Sequence, residues 1–143
     1  MLLDLSLVEK IKSFTETTSM ISTCKDIESL GTELSDEQLK ELIACRKQNK
    51  VKFKLIDIRE IFEYSDLSIK NTDILFPTSI MHMNMEKLEN IKDDFLILYC
   101  RTGSRTGQML SILKRMGFTK IAHLSDGIVQ FSGEKLKNAP LPN

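Results

Sequence analysis

The sequence predicts an α/β fold with a parallel sheet, and three observations carry that reading. Apolar, strand-like runs recur from Val51 onward: "VKFKLIDIR", "DILFPTSI" around Pro77, "FLILY" and "KIAHLSDG". Helical patterns lie between them, over Glu60–Asp66, Asn84–Ile91, Ser104–Met116 and Gly127–Lys137. Strands that alternate with helices of this length imply a parallel sheet covered on both faces.

The first third of the chain reads as helical. Ser6 with Glu9 fits a capping box, and Leu7, Val8, Ile11 and Phe14 then recur on one helical face. Thr23 is placed to cap a short helix that runs through Leu30 and stops at Gly31. Ser35 with Gln38 forms a second capping box, opening a helix with Leu39, Leu42 and Ile43 on its inner side. Lys and Arg in "CRKQNKVK" close that helix, where cations suit its C-terminal end. The clearest helix is "SRTGQMLSILKRMG": Met109, Leu110, Ile112, Leu113 and Met116 give a broad apolar face, and Gly117 ends it. "NAPLPN" reads as a frayed terminus.

Composition narrows the function classes. A chain of 143 residues suits a single domain that buries roughly 68–70% of its unfolded surface. Net charge is +0, so no global field points to nucleic acid or an acidic membrane, and any anion recognition must be local. No apolar run approaches the ~18 residues needed to span a bilayer. The start, "MLLDLSLVEKIKSF", lacks the basic region and cleavage site of a signal peptide. With three cysteines, an odd number, no disulfide framework is expected and a reducing cytoplasm is the expected location. Cys24, Cys45 and Cys100 form no C-x-x-C pair, which excludes a zinc site by spacing.

The chemistry concentrates in "FLILYCRTGSRTG", residues Phe95 to Gly107. In an open parallel sheet, ligands bind beyond the carboxyl ends of the strands. Cys100 stands at that end of "FLILY", and the next helix begins about four residues later. In "RTGS", Gly103 is free to take a positive φ angle. Such a turn can aim successive N–H groups inward as an anion-binding nest, with the helix N-terminus adding positive potential. A thiol there has its pKa lowered to between ~3.5 and ~7.5 and ionises near neutrality. Arg101 and Arg105 can add charge-assisted hydrogen bonds to an anionic substrate.

These residues carry a resemblance. "CRTGSR" resembles the active-site loop of the rhodanese (thiosulfate sulfurtransferase) superfamily, whose single-domain members carry C-x-x-G-x-R. "LIDIREIFEY", Leu55 to Tyr64, is similar to the family's L-I-D-V-R-E-x-x-E-Y segment. "SDEQLKELI" resembles its opening helix, and "LSDGIVQF" its closing L-x-G-G-x-x-x-W. The resemblance covers about Gly31 to Lys137. It implies a rhodanese-like three-layer fold, with a central parallel sheet of about five strands flanked by helices. The expected organisation is a helical N-terminal extension over 1–30, the rhodanese-like domain over 31–138, and a frayed tail over 139–143.

The resemblance also implies a reaction. The Cys100 thiolate would take a sulfane sulfur from a donor such as thiosulfate and become a persulfide. The loop N–H groups, Arg105, and the hydroxyls of Thr102 and Ser104 would hold its charge. A thiol or cyanide would then accept the sulfur in ping-pong fashion. Arg101, Thr102, Gly103, Ser104 and Arg105 are the substrate-binding candidates in the loop. Arg59 is expected to face substrate, with Asp57 supporting it. Neither a metal nor an organic cofactor is implied. The expected partners are a small anionic sulfur donor and a small-thiol or protein acceptor, with no nucleic acid or membrane. The first thirty residues match no family; they are expected to pack on the domain, to mediate a homodimer, or to dock another protein.

Two other functions share the scaffold. One is a non-catalytic or regulatory binding module that reads another protein through the same pocket; the intact Cys100 argues against it. The other is a cysteine phosphatase or arsenate reductase. A phosphatase needs C-x5-R to encircle a tetrahedral phosphate, whereas here four residues separate Cys100 from Arg105 and Thr106 takes the later position. The shorter loop suits a single sulfur.

Some features depart from the family or read as structural. The family's G-H-I-P-G-A segment is replaced by "SDLSIKNTDILFP", which leaves the path of residues 65–73 undefined. Phe131 stands for its last tryptophan, and Asp126 for the first glycine of its pair. Cys24 and Cys45 are expected in packing or surface roles. His82 and His123 have no partner pattern and read as satisfied or exposed side chains. The methionines of "MHMNM" read as adaptable core or rim residues rather than metal ligands.

Overall fold

The computed structural model describes Cys24 and residues 26–142. The strands are β1 (Glu33–Leu34), β2 (Lys54–Asp57), β3 (Ser68–Ile69), β4 (Ile74–Leu75), β5 (Leu96–Tyr99), β6 (Ile121–Leu124) and β7 (Lys135–Leu136). The α-helices are α1 (Asp36–Lys47), α2 (Ile61–Asp66), α3 (Met81–Glu89), α4 (Ser104–Arg115) and α5 (Gly127–Gln130), with 3-10 turns at Ile27–Leu30 and Thr78–Ile80. Five strands form one sheet in the order β1-β6-β5-β2-β4, every pair parallel. The predicted α/β architecture is therefore observed.

Strand alternation splits the core into two layers. Leu55, Ile97, Tyr99, Ala122 and Leu124 point to one face, where Leu39, Leu42 and Cys45 of α1 cover them. Ile56, Leu96, Leu98, Cys100 and Ile121 point to the other, beneath Met109, Leu110 and Leu113 of α4 and Leu88 of α3. Because β5 sits in the middle of the sheet, both its faces are covered, which is why "FLILY" is apolar without alternation.

Helix boundaries follow their caps. The Ser35 side chain accepts from the Gln38 N–H while Gln38 accepts from the Ser35 N–H, the reciprocal box expected from the sequence. Met116 caps the carboxyl end of α4, and Gly117 follows with φ 89°. The Ser6–Glu9 box and the Thr23 cap fall outside the described residues; the 3-10 turn does end at Gly31. Two helices differ in extent. The segment Asn84–Ile91 belongs to a helix that starts earlier, at Met81. The pattern over Gly127–Lys137 breaks after Gln130, and Lys135–Leu136 becomes β7.

The undefined path of residues 65–73 is organised by β7. β3 pairs antiparallel with it, with Ser68 opposite Leu136 and Ile69 opposite Lys135. The Tyr99 hydroxyl, reaching from the central strand, accepts from the Ile69 N–H at 3.2 Å and shares a 2.8 Å hydrogen bond with Thr72. The tail is held at its start, since the Asn138 N–H donates to the Ser65 carbonyl and the Tyr64 hydroxyl to the Pro140 carbonyl.

One expectation is overturned. Cys24 and Cys45 form a disulfide across 21 residues of sequence, and both are buried in the α1-side core. The odd cysteine count concealed it: Cys100 is the one left over. Cysteine count therefore ceases to argue for a reducing compartment. Among the described residues, no helix is long and apolar enough to cross a membrane. Closing a loop of this length restricts the unfolded chain and is expected to contribute about 3 kcal/mol. Thermal unfolding with and without a reductant checks this: the melting temperature should drop on reduction, and superimposable curves would contradict a structural disulfide.

Candidate active site

Cys100 follows β5 directly and is 1% exposed. Its Sγ accepts from the Gly103 N–H at 3.1 Å. That contact requires the chain to double back within three residues, which Gly103 permits at φ 96°, as the left-handed residue before α4. A Cβ on Gly103 would strike the Ser125 carbonyl, so backbone packs on backbone here. The same contact recurs in the facing loop. Gly127 has φ 73°, and a Cβ there would meet the Arg101 carbonyl. The Ile128 and Val129 N–H groups donate to the carbonyls of Cys100 and Arg101 at 2.9 and 3.2 Å. The glycine that the sequence retains from the family's pair is therefore the one the geometry needs.

Burial pushes the Cys100 thiol up, yet its pKa lies below the ordinary value. The Thr106 N–H and hydroxyl, together with the N–H groups of Gly103 and Thr102, outweigh burial by stabilising the thiolate. The predicted nest is thus present. Arg101, Thr102 and Ser104 are exposed on its rim, and no ion pair engages Arg101 among the described residues.

Arg105 is part of the loop's wall, held by a partner the sequence reading did not name. Its two terminal nitrogens donate to the two carboxylate oxygens of Glu63 at 2.8 Å each. This fork holds the Glu63 carboxyl well below the usual carboxylate range, at about 2. Beside it a cavity of about 140 Å³ is lined by Thr78, Met81, Arg105, Gln108, Met109 and Ile112. Among the described residues, two larger cavities lie away from Cys100: one between α1 and the β7 region, one around Arg46 and Asp94.

Arg59 was expected to face substrate. Instead it is 4% exposed, and its guanidinium lies within the protein. Nε and Nη2 donate to the Asp57 carboxylate at 2.7–3.2 Å, Nη2 also to the Leu67 carbonyl, and Nη1 to the Glu63 carbonyl. Burial pushes the Asp57 carboxyl up against the pull of this fork. Asp57 is 0% exposed and pairs Arg59.

His123 is a satisfied rather than an exposed side chain: it is 3% exposed, with Thr106 Oγ1 at 2.5 Å from Nδ1 and Glu33 at 2.7 Å from Nε2. Neither contact carries a sequence signal, because Glu33, Thr106 and His123 meet only when β1, α4 and β6 assemble.

With this geometry in place, comparison with known proteins is direct. A family model for the rhodanese-like domain matches residues 35–134, and the chain belongs to that family. A relative from Mycobacterium tuberculosis, "Probable adenylyltransferase/sulfurtransferase MoeZ", is 31% identical over 102 residues. The match covers 71% of this chain, which spans only 25% of that relative. Among solved structures, a rhodanese-related protein from Thermoplasma volcanium superposes with a TM-score of 0.60 at 23% identity, over 74% of this chain and 98% of that one. A thiosulfate sulfurtransferase from Pseudomonas aeruginosa gives 0.65 at 18% identity, over 87% of this chain and 24% of that one. At these identities the two structures speak for the fold.

Two outcomes follow from the loop. Gly127→Ala forces a left-handed alanine against the Arg101 carbonyl, with strain of about 1–3 kcal/mol before any clash. Urea unfolding should show at least that loss, and an unchanged midpoint would contradict the backbone contact. The Glu63–Arg105 pair gives a pH signature. A carboxyl depressed from its usual 4.5 to about 2 stabilises the fold fully above 4.5 and loses that contribution as pH falls towards 2. The melting-temperature gap between wild type and Glu63→Gln should be constant above pH of about 5 and close below it. A pH-independent gap would show that the pair's charge is immaterial.

Proposed function

We propose that the protein is a sulfurtransferase that carries a sulfane sulfur as a persulfide on Cys100. The Cys100 thiolate attacks the outer sulfur of a donor such as thiosulfate. A Cys100 S–S bond forms, the donor's S–S bond breaks, and sulfite departs with the bonding pair. An acceptor thiol then takes the terminal sulfur, and Cys100 returns as thiolate.

The observation that carries this reading is the Gly103 N–H on Sγ at 3.1 Å, in a loop where four residues separate cysteine from arginine. Inward N–H groups match an anionic terminal sulfur, and the loop is one residue shorter than phosphate needs. Arg101 offers rim charge to an anionic donor, while Arg105 enters neutralised by Glu63. The sulfurtransferase in the name of the M. tuberculosis relative agrees with this chemistry.

Incubating the protein with thiosulfate and taking an intact mass tests the reading. A one-sulfur adduct is expected, discharged by cyanide and missing in Cys100→Ala. Absence of an adduct with thiosulfate, polysulfide and mercaptopyruvate would overturn it and favour the binding module. Turnover of an aryl phosphate would favour the phosphatase.

A further inference from the structure

Behind Cys100, three polar groups form a continuous path that the sulfur-transfer steps leave unused. The Thr106 hydroxyl lies 3.6 Å from Cys100 Sγ and 2.5 Å from His123 Nδ1. Across the ring, Nε2 lies 2.7 Å from a Glu33 carboxylate oxygen. Thr106 and His123 are 0% and 3% exposed, whereas the Glu33 side chain is 66% exposed. A buried thiol is thereby connected to bulk water through hydrogen-bonding atoms alone.

Donor counting gives the path a direction. A carboxylate only accepts, so Nε2 carries the proton it donates to Glu33. In the neutral ring Nδ1 is then an acceptor, and the Thr106 hydroxyl donates to it. The same hydroxyl oxygen can accept from the Cys100 S–H. Moving one proton at each end inverts the pattern: S–H to Oγ1, and Oγ1–H to Nδ1. Nδ1–H then donates to Oγ1, and Oγ1–H donates to the thiolate. One S–H bond is lost and one N–H bond is gained, with no change in total charge. Both arrangements satisfy every member, and Glu33 lies against the ring that becomes positive. The Gly103 carbonyl, 3.1 Å from Oγ1, is an alternative acceptor that the hydroxyl leaves in order to serve the relay.

We propose that Thr106, His123 and Glu33 are a proton relay for Cys100: a cysteine–histidine–glutamate triad with a threonine hydroxyl interposed between thiol and imidazole. Thr106 touches the reacting sulfur; His123 and Glu33 act through it as positioning residues. The relay gives the proton of a buried thiol a destination within the protein. It also returns that proton when an acceptor leaves Cys100 free. The other charged groups around the thiol are Arg101 on the rim of the loop, Arg105 of α4, paired with Glu63 of α2, and the Asp57–Arg59 pair at the end of β2. None of these changes in the variants below.

The relay rests on Cys100 being the nucleophile of the proposed function, but it is read without any sulfur donor. The full chain, with its disulfide intact, is treated with iodoacetamide across a pH series, and alkylation of the Cys100 peptide is followed by mass spectrometry. The wild-type midpoint should fall below the ordinary thiol value of ~8.5. His123→Gln and Thr106→Val should each raise it by about one pH unit or more. Thr106→Ser, which keeps the hydroxyl, should restore it. Glu33→Gln changes an exposed side chain and should shift it the same way by a smaller amount. Midpoints that superimpose on wild type in folded His123→Gln or Thr106→Val would overturn the relay and leave a packing role. Should neither variant fold, an unmoved midpoint in Glu33→Gln overturns it. A shifted profile without a thiosulfate adduct would keep the relay and reject the sulfur donor, so the two failures are distinguishable.

Discussion

The site depends on two loops whose backbones press on each other. The turn after β5 and the turn after β6 meet with no side chain between them: Gly103 lies on the Ser125 carbonyl and Gly127 on the Arg101 carbonyl. Their hydrogen bonds, from Ile128 and Val129 to Cys100 and Arg101, fix the outer face of the cysteine loop. With those carbonyls engaged by the second loop, the Gly103 N–H is directed inward at the sulfur. An anion-binding nest is costly to leave unfilled, because its N–H groups are desolvated together. The thiolate fills it, and that is the physical source of the lowered Cys100 pKa despite near-complete burial.

A second scaffold holds the floor from the β2 side. Asp57 and Arg59 are both buried, and an isolated charge there would be prohibitive. The pair satisfies itself and also extends outward: Arg59 donates to the carbonyls of Glu63 and Leu67. Glu63 is thereby set to receive Arg105. A chain of contacts runs from a strand end through two arginines to the cysteine loop. Its central members belong to one stretch, "LIDIREIFEY". The motif thus ties the end of β2 to the cysteine loop, with Arg59 held between Asp57, Glu63 and Leu67.

How much of this was legible depended on whether the governing contact was local. The capping box at Ser35, the strand "FLILY" and the left-handed Gly103 each follow from neighbours in sequence, and the structure has all three. The helix read through Lys137 failed because β7 is created by β3, a strand some 67 residues earlier. Where Arg59 points was not legible because a guanidinium next to a site looks the same in sequence whether it points in or out; Leu67 and Glu63 hold it inward. The Cys24–Cys45 bridge and the partners of His123 were invisible for the same reason. Their meeting points are set by packing of distant segments, which no spacing rule encodes.

The distribution of charge then explains why this loop can be reactive and still stable. Positive charge at the wall is neutralised, since Glu63 matches Arg105 nitrogen for oxygen. What lowers the Cys100 pKa is fixed dipoles, which need no counter-ion and would need no reorganisation if charge moved to a terminal sulfur, as the proposed reaction requires. Matching the arginine to glutamate leaves Cys100 held by weaker, more numerous donors. In the proposed reaction, a sulfur added to Cys100 would take over these contacts in turn.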